Sequence, residues 1–222
     1  MTIGELLQIK KGITAAIGSG GKTTLLNVLA RELKGSVILC TTTHIRKPEF
    51  LPFFSGDEDT IAEAIQKYGK ICIGTEESAT GKIIAPAQSF DTLRQLADYI
   101  LVEADGAKML PLKAHREYEP QIPAGCENTI CVVGSSGFGR KIKDVCHRPE
   151  LFCQRSGLGP EELVTPAAVS RVLQAEQLRF DRIFVNQCDS DTGCARELAA
   201  LLPFPIAAGA LQRGTWEQIC SC

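Results

Sequence analysis

A glycine-rich turn between an apolar strand and an amphipathic helix constrains this 222-residue chain more than any other feature. It consists of Gly18, Ser19, Gly20, Gly21, Lys22, Thr23 and Thr24. Glycines let backbone N–H groups converge on phosphate oxygens, and the N-terminus of the following helix adds partial positive charge. The turn therefore predicts binding of a nucleoside triphosphate, ATP or GTP. Lys22 is expected at the β- and γ-phosphates, and the Thr23 hydroxyl is expected on Mg²⁺.

The turn departs from the usual phosphate-loop spacing. That spacing places four residues between a first glycine and the Gly-Lys-Ser/Thr group, so the first glycine would stand five positions before Gly21, where this chain has Ala16. The chain fits the shorter Gly-x-x-Gly-Lys-Thr form, beginning at Gly18. This short form also resembles the loop of Mur-type amide ligases, whose chains are much longer.

Apolar strand patterns alternate with helical patterns along the whole chain. The strands are predicted at 13–17, 37–40, 99–102, 129–133, 182–185 and 204–208, and helices at 58–68, 89–97, 166–173 and 195–202. Such alternation predicts an α/β fold with a mostly parallel sheet. We expect one domain over residues 1–222, P-loop NTPase-like, with a three-layer α/β/α arrangement. Residues 70–73 and 82–84 predict a small hairpin insertion near 70–85.

Composition excludes several classes of function. The chain has 24 Lys and Arg against 26 Asp and Glu, so it has no basic excess for a nucleic-acid partner. It has neither an apolar run of about 18 residues for a membrane span nor a secretory signal at its start, so we expect a cytoplasmic protein. Its ten cysteines are expected as free thiols, and Cys40 and Cys131 as core residues. The Cys220–Cys222 pair is either two exposed thiols or a site for a soft metal or disulfide exchange.

Acidic and hydroxyl side chains follow two of the predicted strands. Glu103 and Asp105 come at the end of the strand 99–102, where an acid holds Mg²⁺ in a phosphate-loop fold. We expect Asp105 to be the metal partner, with Glu103 close behind; the second acid is then placed to orient the attacking group. Thr43, after the strand 37–40, is a further candidate for the Mg²⁺ shell. Lys22, Glu103 and Asp105 are the candidate catalytic residues.

Asn186-Gln187-Cys188-Asp189 follows the strand 182–185 and is a candidate base-binding segment. It is similar to the Asn-Lys-x-Asp sequence that binds guanine in GTPases, with Gln187 in place of the lysine. Asp189 can accept hydrogen bonds from guanine, but Asn and Asp are also common in plain turns. The sequence leaves adenine and guanine both open.

Together, several segments resemble the YqeC family of selenium-dependent molybdenum hydroxylase accessory proteins over about residues 10–210. They are the glycine-rich turn, Thr41-Thr-Thr-His44, Glu103-Ala-Asp-Gly106 with Leu110-Pro-Leu-Lys113, His147-Arg-Pro-Glu150, and Asn186-Gln-Cys-Asp189. The resemblance implies a cytoplasmic nucleotide-binding protein that helps to mature such a hydroxylase, with the hydroxylase or its cofactor as client.

Nucleotide hydrolysis that switches the loops near Thr43 and Lys108 is the function that we expect from these residues. Two other classes stay open. One is a small-molecule kinase or ATP-dependent ligase, which would yield a phosphorylated product or intermediate. The other is a GTPase chaperone that delivers metal or selenium, for which the ten thiols are the relevant feature.

Overall fold

The computed structural model describes residues 1–219, so the Cys220–Cys222 pair lies outside the described residues. The described chain forms two compact units. The first comprises residues 1–16, 23–106 and 121–129; the second comprises residues 17–22, 107–120 and those from Ile130 onward. No helix within residues 1–219 has the length and apolar character that crossing a membrane requires.

The first unit contains most of the elements in the amino-terminal half of the chain. They are α1 (Ile3–Leu6), β1 (Gly12–Gly18), α2 (Lys22–Glu32), β2 (Val37–Thr41), β3 (His44–Ile45), β4 (Phe53–Phe54), α3 (Glu58–Tyr68), β5 (Lys70–Ile73), β6 (Thr75–Glu77), β7 (Lys82–Ile84), α4 (Phe90–Leu96) and β8 (Tyr99–Glu103). β1 and α2 each run across the boundary with the second unit, at Ile17 and Lys22.

Five strands of this unit form a parallel sheet in the order β1-β8-β2-β5-β4. The central residues of β1, β8, β2 and β5 are buried and mostly apolar, as expected for parallel strands covered on both faces, whereas both residues of β4 are half-buried. The register sets Ala16 of β1 and Thr41 of β2 level with Glu103 of β8. β2 and β8 therefore end at the same height, and β1 continues two residues further, to Gly18.

The hairpin that we predicted near 70–85 is shorter than expected. Residues 70–73 pair in parallel with β2, whereas the hairpin consists of β6 and β7, with β3 added beside β7. Ile71, Cys72 and Ile73 are all buried, which suits an inner parallel strand better than an exposed hairpin arm. Gly74 separates the two, and a Cβ there would lie 2.2 Å from the Ile83 side chain.

The second unit contains the remaining elements, one of which begins with two residues of the first unit, Asn128 and Thr129. They are β9 (Leu112–Lys113), β10 (Asn128–Gly134), α5 (Ile142–Val145), β11 (Cys146–His147), α6 (Pro149–Ser156), α7 (Pro166–Glu176), β12 (Arg182–Asn186), α8 (Gly193–Leu201), β13 (Ile206–Ala210) and β14 (Thr215–Ile219), with short 3₁₀ helices at Ser135–Gly137 and Leu211–Arg213. Thr165 caps α7 through its hydroxyl, as its position before Pro166 predicts.

Four strands of the second unit pair in the order β10-β12-β13-β14. The first three are parallel and β14 is antiparallel to β13. The predicted α/β class with mostly parallel strands is thus confirmed in each unit. The three-layer arrangement and the P-loop relationship remain predictions.

Candidate functional site

The glycine-rich turn takes a backbone conformation that only glycine adopts easily. Gly18, Gly20 and Gly21 have φ values of 89°, 88° and 128°, where side chains with a Cβ are strained. A Cβ on Gly20 would lie 2.4 Å from the Cα of Gly134, and one on Gly21 would lie 2.2 Å from Nδ2 of Asn186. The glycines are therefore required by both conformation and space.

Neighbouring backbone of the second unit holds this turn in place. The Ser19 N–H donates to the Val132 carbonyl at 2.8 Å, and the Ser19 hydroxyl donates to the Leu110 carbonyl. The Gly134 N–H donates to the Pro111 carbonyl at 2.9 Å. The Leu110-Pro-Leu-Lys113 segment thus supports the phosphate-loop candidate, a role that its residue types do not indicate.

Lys22 is folded onto the turn that it follows. Its Nζ donates to the Gly18 carbonyl at 2.8 Å, and the residue is only 3% exposed. An ammonium group held in this position is close to the backbone expected to surround the phosphates. The predicted contact of Lys22 with phosphate requires the ammonium to exchange this carbonyl for a phosphate oxygen.

Asn186 supports the glycine turn from the end of β12. Its Nδ2 donates to the Gly20 carbonyl at 2.8 Å, and its Oδ1 accepts from the Leu211 N–H at 3.1 Å. The residue is 4% exposed. Through these two hydrogen bonds Asn186 stabilises the glycine turn, and its predicted contact with a nucleotide base stays a prediction.

The other residues of the base-binding candidate also have protein partners. The Asp189 carboxylate pairs with Arg213 Nε at 2.8 Å, and both side chains are about half exposed. The Gln187 Oε1 accepts from the Ser136 hydroxyl at 2.6 Å. A base that binds Asp189 would therefore have to share or displace Arg213.

In the first unit, Thr23 and Glu103 form a direct contact. The Thr23 hydroxyl donates to Oε2 of Glu103 at 2.6 Å. Glu103 is 9% exposed, and Asp105, two residues later, is fully buried. We expected Asp105 as the metal partner, whereas the acid that accepts the hydrogen bond of the Thr23 hydroxyl is Glu103.

The threonines after β2 lie beside the end of β8. The Thr41 hydroxyl donates to the Glu103 backbone carbonyl at 2.8 Å. Thr43 follows Thr41 by two residues, and its N–H donates to the Thr41 hydroxyl at 2.9 Å. The two hydroxyl oxygens are 3.3 Å apart. Because Thr43 is linked to the end of β8 only through Thr41, it stays a candidate for an outer position of the metal shell. Thr24, the last residue of the predicted phosphate loop, lies in the first turn of α2.

The donor set at Thr23 and Glu103 fits Mg²⁺ by its chemistry. Mg²⁺ prefers oxygen ligands and is commonly bound by one or two carboxylates together with phosphates and waters. Among residues 1–219 there is no group of three or more His, Cys, Asp or Glu side chains placed to hold a metal. The eight cysteines in that range are free thiols, and Cys40 and Cys131 are buried as predicted. A metal shared with bound phosphate suits this set better than a site built from protein ligands alone.

Comparison with known proteins gives the family of the chain. The family described as YqeC protein matches residues 14–150. A protein of Escherichia coli (strain K12), named "Uncharacterized protein YqeC", is 33% identical over 186 residues, which cover 79% of this chain and 73% of that protein. No solved structure matches the chain. The matched region contains the glycine turn, Glu103 and the 110–113 segment, and the chain belongs to the YqeC family.

Proposed function

We propose that this protein binds a nucleoside triphosphate with Mg²⁺ on residues Gly18–Thr24 and hydrolyses it. The observation that carries the proposal is the 2.6 Å hydrogen bond from Thr23 to Glu103. It places a hydroxyl, one residue after Lys22, against a carboxylate at the end of a buried parallel strand. A hydroxyl and an acid in this relationship are what a phosphate-loop protein uses to hold its metal.

Each residue then has a distinct role. Backbone N–H groups of the glycine turn bind the phosphates, and Lys22 leaves the Gly18 carbonyl to pair with the outer phosphates. Thr23 and Glu103 supply oxygen ligands, and Asp105 is the remaining acid available to orient the attacking water. Bound Mg²⁺ would neutralise charge that develops between the β- and γ-phosphates.

The role in the cell that we propose follows from the family resemblance. The protein acts as an accessory factor in the maturation of a selenium-dependent molybdenum hydroxylase, with nucleotide state controlling its contact with that client or its cofactor. The nucleotide is ATP or GTP.

Phosphate release from ATP and from GTP, with and without Mg²⁺, tests the activity. We expect Mg²⁺-dependent release that Glu103→Gln lowers by at least about tenfold, the effect of losing one charge-assisted contact of 1.5–3 kcal/mol. Glu76→Gln, in the exposed hairpin, is the matched control and should keep wild-type rates. Equal rates in wild type and Glu103→Gln would refute the metal assignment. A phosphorylated small molecule in place of free phosphate would instead identify a kinase.

A further inference from the structure

A second cluster of charged side chains lies in the second unit, around the β9–β11 pair. The two strands are parallel, with Lys113 of β9 opposite His147 of β11. Arg148, next in the chain, forms a two-pronged contact with Glu119: Nη1 reaches Oε2 and Nη2 reaches Oε1, each at 2.5 Å. The Lys113 Nζ lies 3.3 Å from the same carboxylate. These groups are largely buried, with 1% of the Lys113 side chain and 10% of the Arg148 side chain exposed.

Arg148 has donors to spare in this arrangement. A guanidinium has five N–H groups, and the described contacts of Arg148 use three of them, two on Glu119 and one on the Ala114 carbonyl at 3.2 Å. The residue also has φ 64° and ψ 63°, a left-handed conformation that is costly for a side chain with a Cβ. Such strain persists where the surrounding structure holds a residue in place, and it concentrates at ligand sites.

His147 and Lys108 add two more groups that can donate hydrogen bonds. Neither side chain has a hydrogen bond or ion pair to any residue in the range 1–219. His147 is half-buried and Lys108 is exposed, so both can be reached from solvent. The pKa of His147 is lowered to about 4, first by burial and then by the positive charges of Arg148, Lys113 and Lys108, with Glu119 acting in the opposite direction.

We propose that Arg148, His147 and Lys108 form a binding site for a small oxyanion, such as a phosphate or carboxylate group. The unused N–H groups of Arg148 are directional donors suited to such an anion, and Lys108 supplies a second charge. The Glu119 carboxylate holds the guanidinium in its orientation, and the same carboxylate pairs with Lys113. The anion belongs either to the terminal phosphate of the nucleotide or to a separate acidic substrate. The site itself does not depend on the proposed function, because it would bind inorganic phosphate.

Inorganic phosphate is therefore the probe, and the His147 ring is the reporter. The chain has three histidines, so their ring signals can be followed through a pH titration by NMR. A bound anion offsets the three cations that lower the His147 pKa, so phosphate should move its midpoint upward from about 4. The titration is run in wild type and in Lys22→Ala, which removes phosphate binding at the glycine turn as a source of the effect.

Two variants and one control decide the result. Lys108→Ala removes an exposed charge without touching the fold and should weaken phosphate binding by about three- to tenfold, while Arg148→Gln should abolish the shift. Lys143→Ala, whose exposed ammonium pairs with Glu161 at 2.6 Å, should behave as wild type. The proposal is overturned if about 10 mM phosphate, ten times a Kd of about 1 mM, leaves the His147 midpoint unchanged. It is equally overturned if Lys108→Ala and Arg148→Gln both keep the full shift.

The two sources of the anion are separated by nucleotides added with Mg²⁺. A non-hydrolysable triphosphate that raises the His147 midpoint where the diphosphate does not would identify the terminal phosphate as the ligand. Phosphate binding that persists with either nucleotide present would identify a separate anionic substrate. Both results support an oxyanion site at Arg148.

Discussion

Replacing Asn186 with alanine tests whether this side chain mainly supports the glycine turn. Its amide bridges the Gly20 carbonyl and the Leu211 N–H at 2.8 and 3.1 Å and is 4% exposed. Each hydrogen bond contributes about 1 kcal/mol net, and a buried polar group left without a partner costs about 1–3 kcal/mol. The variant deletes two hydrogen bonds and leaves two backbone groups without these partners. Water that enters the space recovers part of the lost stability. We therefore expect the free energy of unfolding to fall by about 2–4 kcal/mol.

Urea unfolding of the nucleotide-free protein measures this change, with the slope against urea unchanged. Asp189→Asn is the matched control, since it breaks only the half-exposed pair with Arg213 and should cost less than about 1 kcal/mol. A loss below about 1 kcal/mol in Asn186→Ala would refute this stabilising role. If Asn186→Ala then weakened nucleotide binding while stability stayed unchanged, direct base contact would be the better account.

Three further predictions concern the turn, a buried carboxylate and a histidine. Gly20→Ala places a Cβ 2.4 Å from neighbouring backbone and should abolish nucleotide binding in a calorimetric titration. The control is Gly139→Ala, at a position with φ 72° where a Cβ would have no atom within 4 Å. This control should bind nucleotide normally and lose only about 1–2 kcal/mol of stability. Glu176→Ala removes a carboxylate that is 2% exposed and paired with a histidine and an arginine. Urea unfolding should therefore show a loss of about 3–5 kcal/mol in the free energy of unfolding. The control Glu217→Ala removes a half-exposed carboxylate and should cost less than about 1 kcal/mol. The folded-state pKa of His147 is about 4, so the unfolded chain, with an ordinary pKa near 6.5, takes up the proton first as the pH falls. This group should therefore reduce stability progressively between about pH 6.5 and pH 4, and an NMR midpoint near 6.5 in the folded protein would contradict this.

The sequence predicted most of the buried parallel strands of the fold. Buried parallel strands are continuous apolar runs in the sequence, so the apolar runs of β2 and β8 were enough to predict these two strands. β14 was missed because Thr215–Ile219 is an edge strand of mostly exposed, polar residues, which carries no such run. The hairpin boundary was misplaced because a buried four-residue strand at 70–73 has the same composition as a hairpin arm.

The candidate site was only partly predictable. The residue types of the glycine turn and their spacing were enough to predict it as a candidate phosphate loop. The bond between Asn186 and Gly20 joins residues 166 positions apart, and no local pattern encodes it. Glu103 is the last residue of β8, whereas Asp105 lies two residues beyond it, so the strand pattern of the sequence does not decide which of the two acids contacts Thr23.

Equilibrium binding of nucleotides to wild type and to Lys22→Ala tests whether Gly18–Thr24 binds the phosphates of a nucleotide. Non-hydrolysable ATP and GTP analogues are titrated calorimetrically with and without Mg²⁺, and Lys141→Ala, a half-exposed lysine paired with Glu161, is the control. We expect Mg²⁺-dependent binding that Lys22→Ala weakens by about 10- to 100-fold, the equivalent of one charged hydrogen bond. Thermal melting confirms that the variant is folded. Unchanged affinity in a folded Lys22→Ala protein would contradict the phosphate-loop assignment.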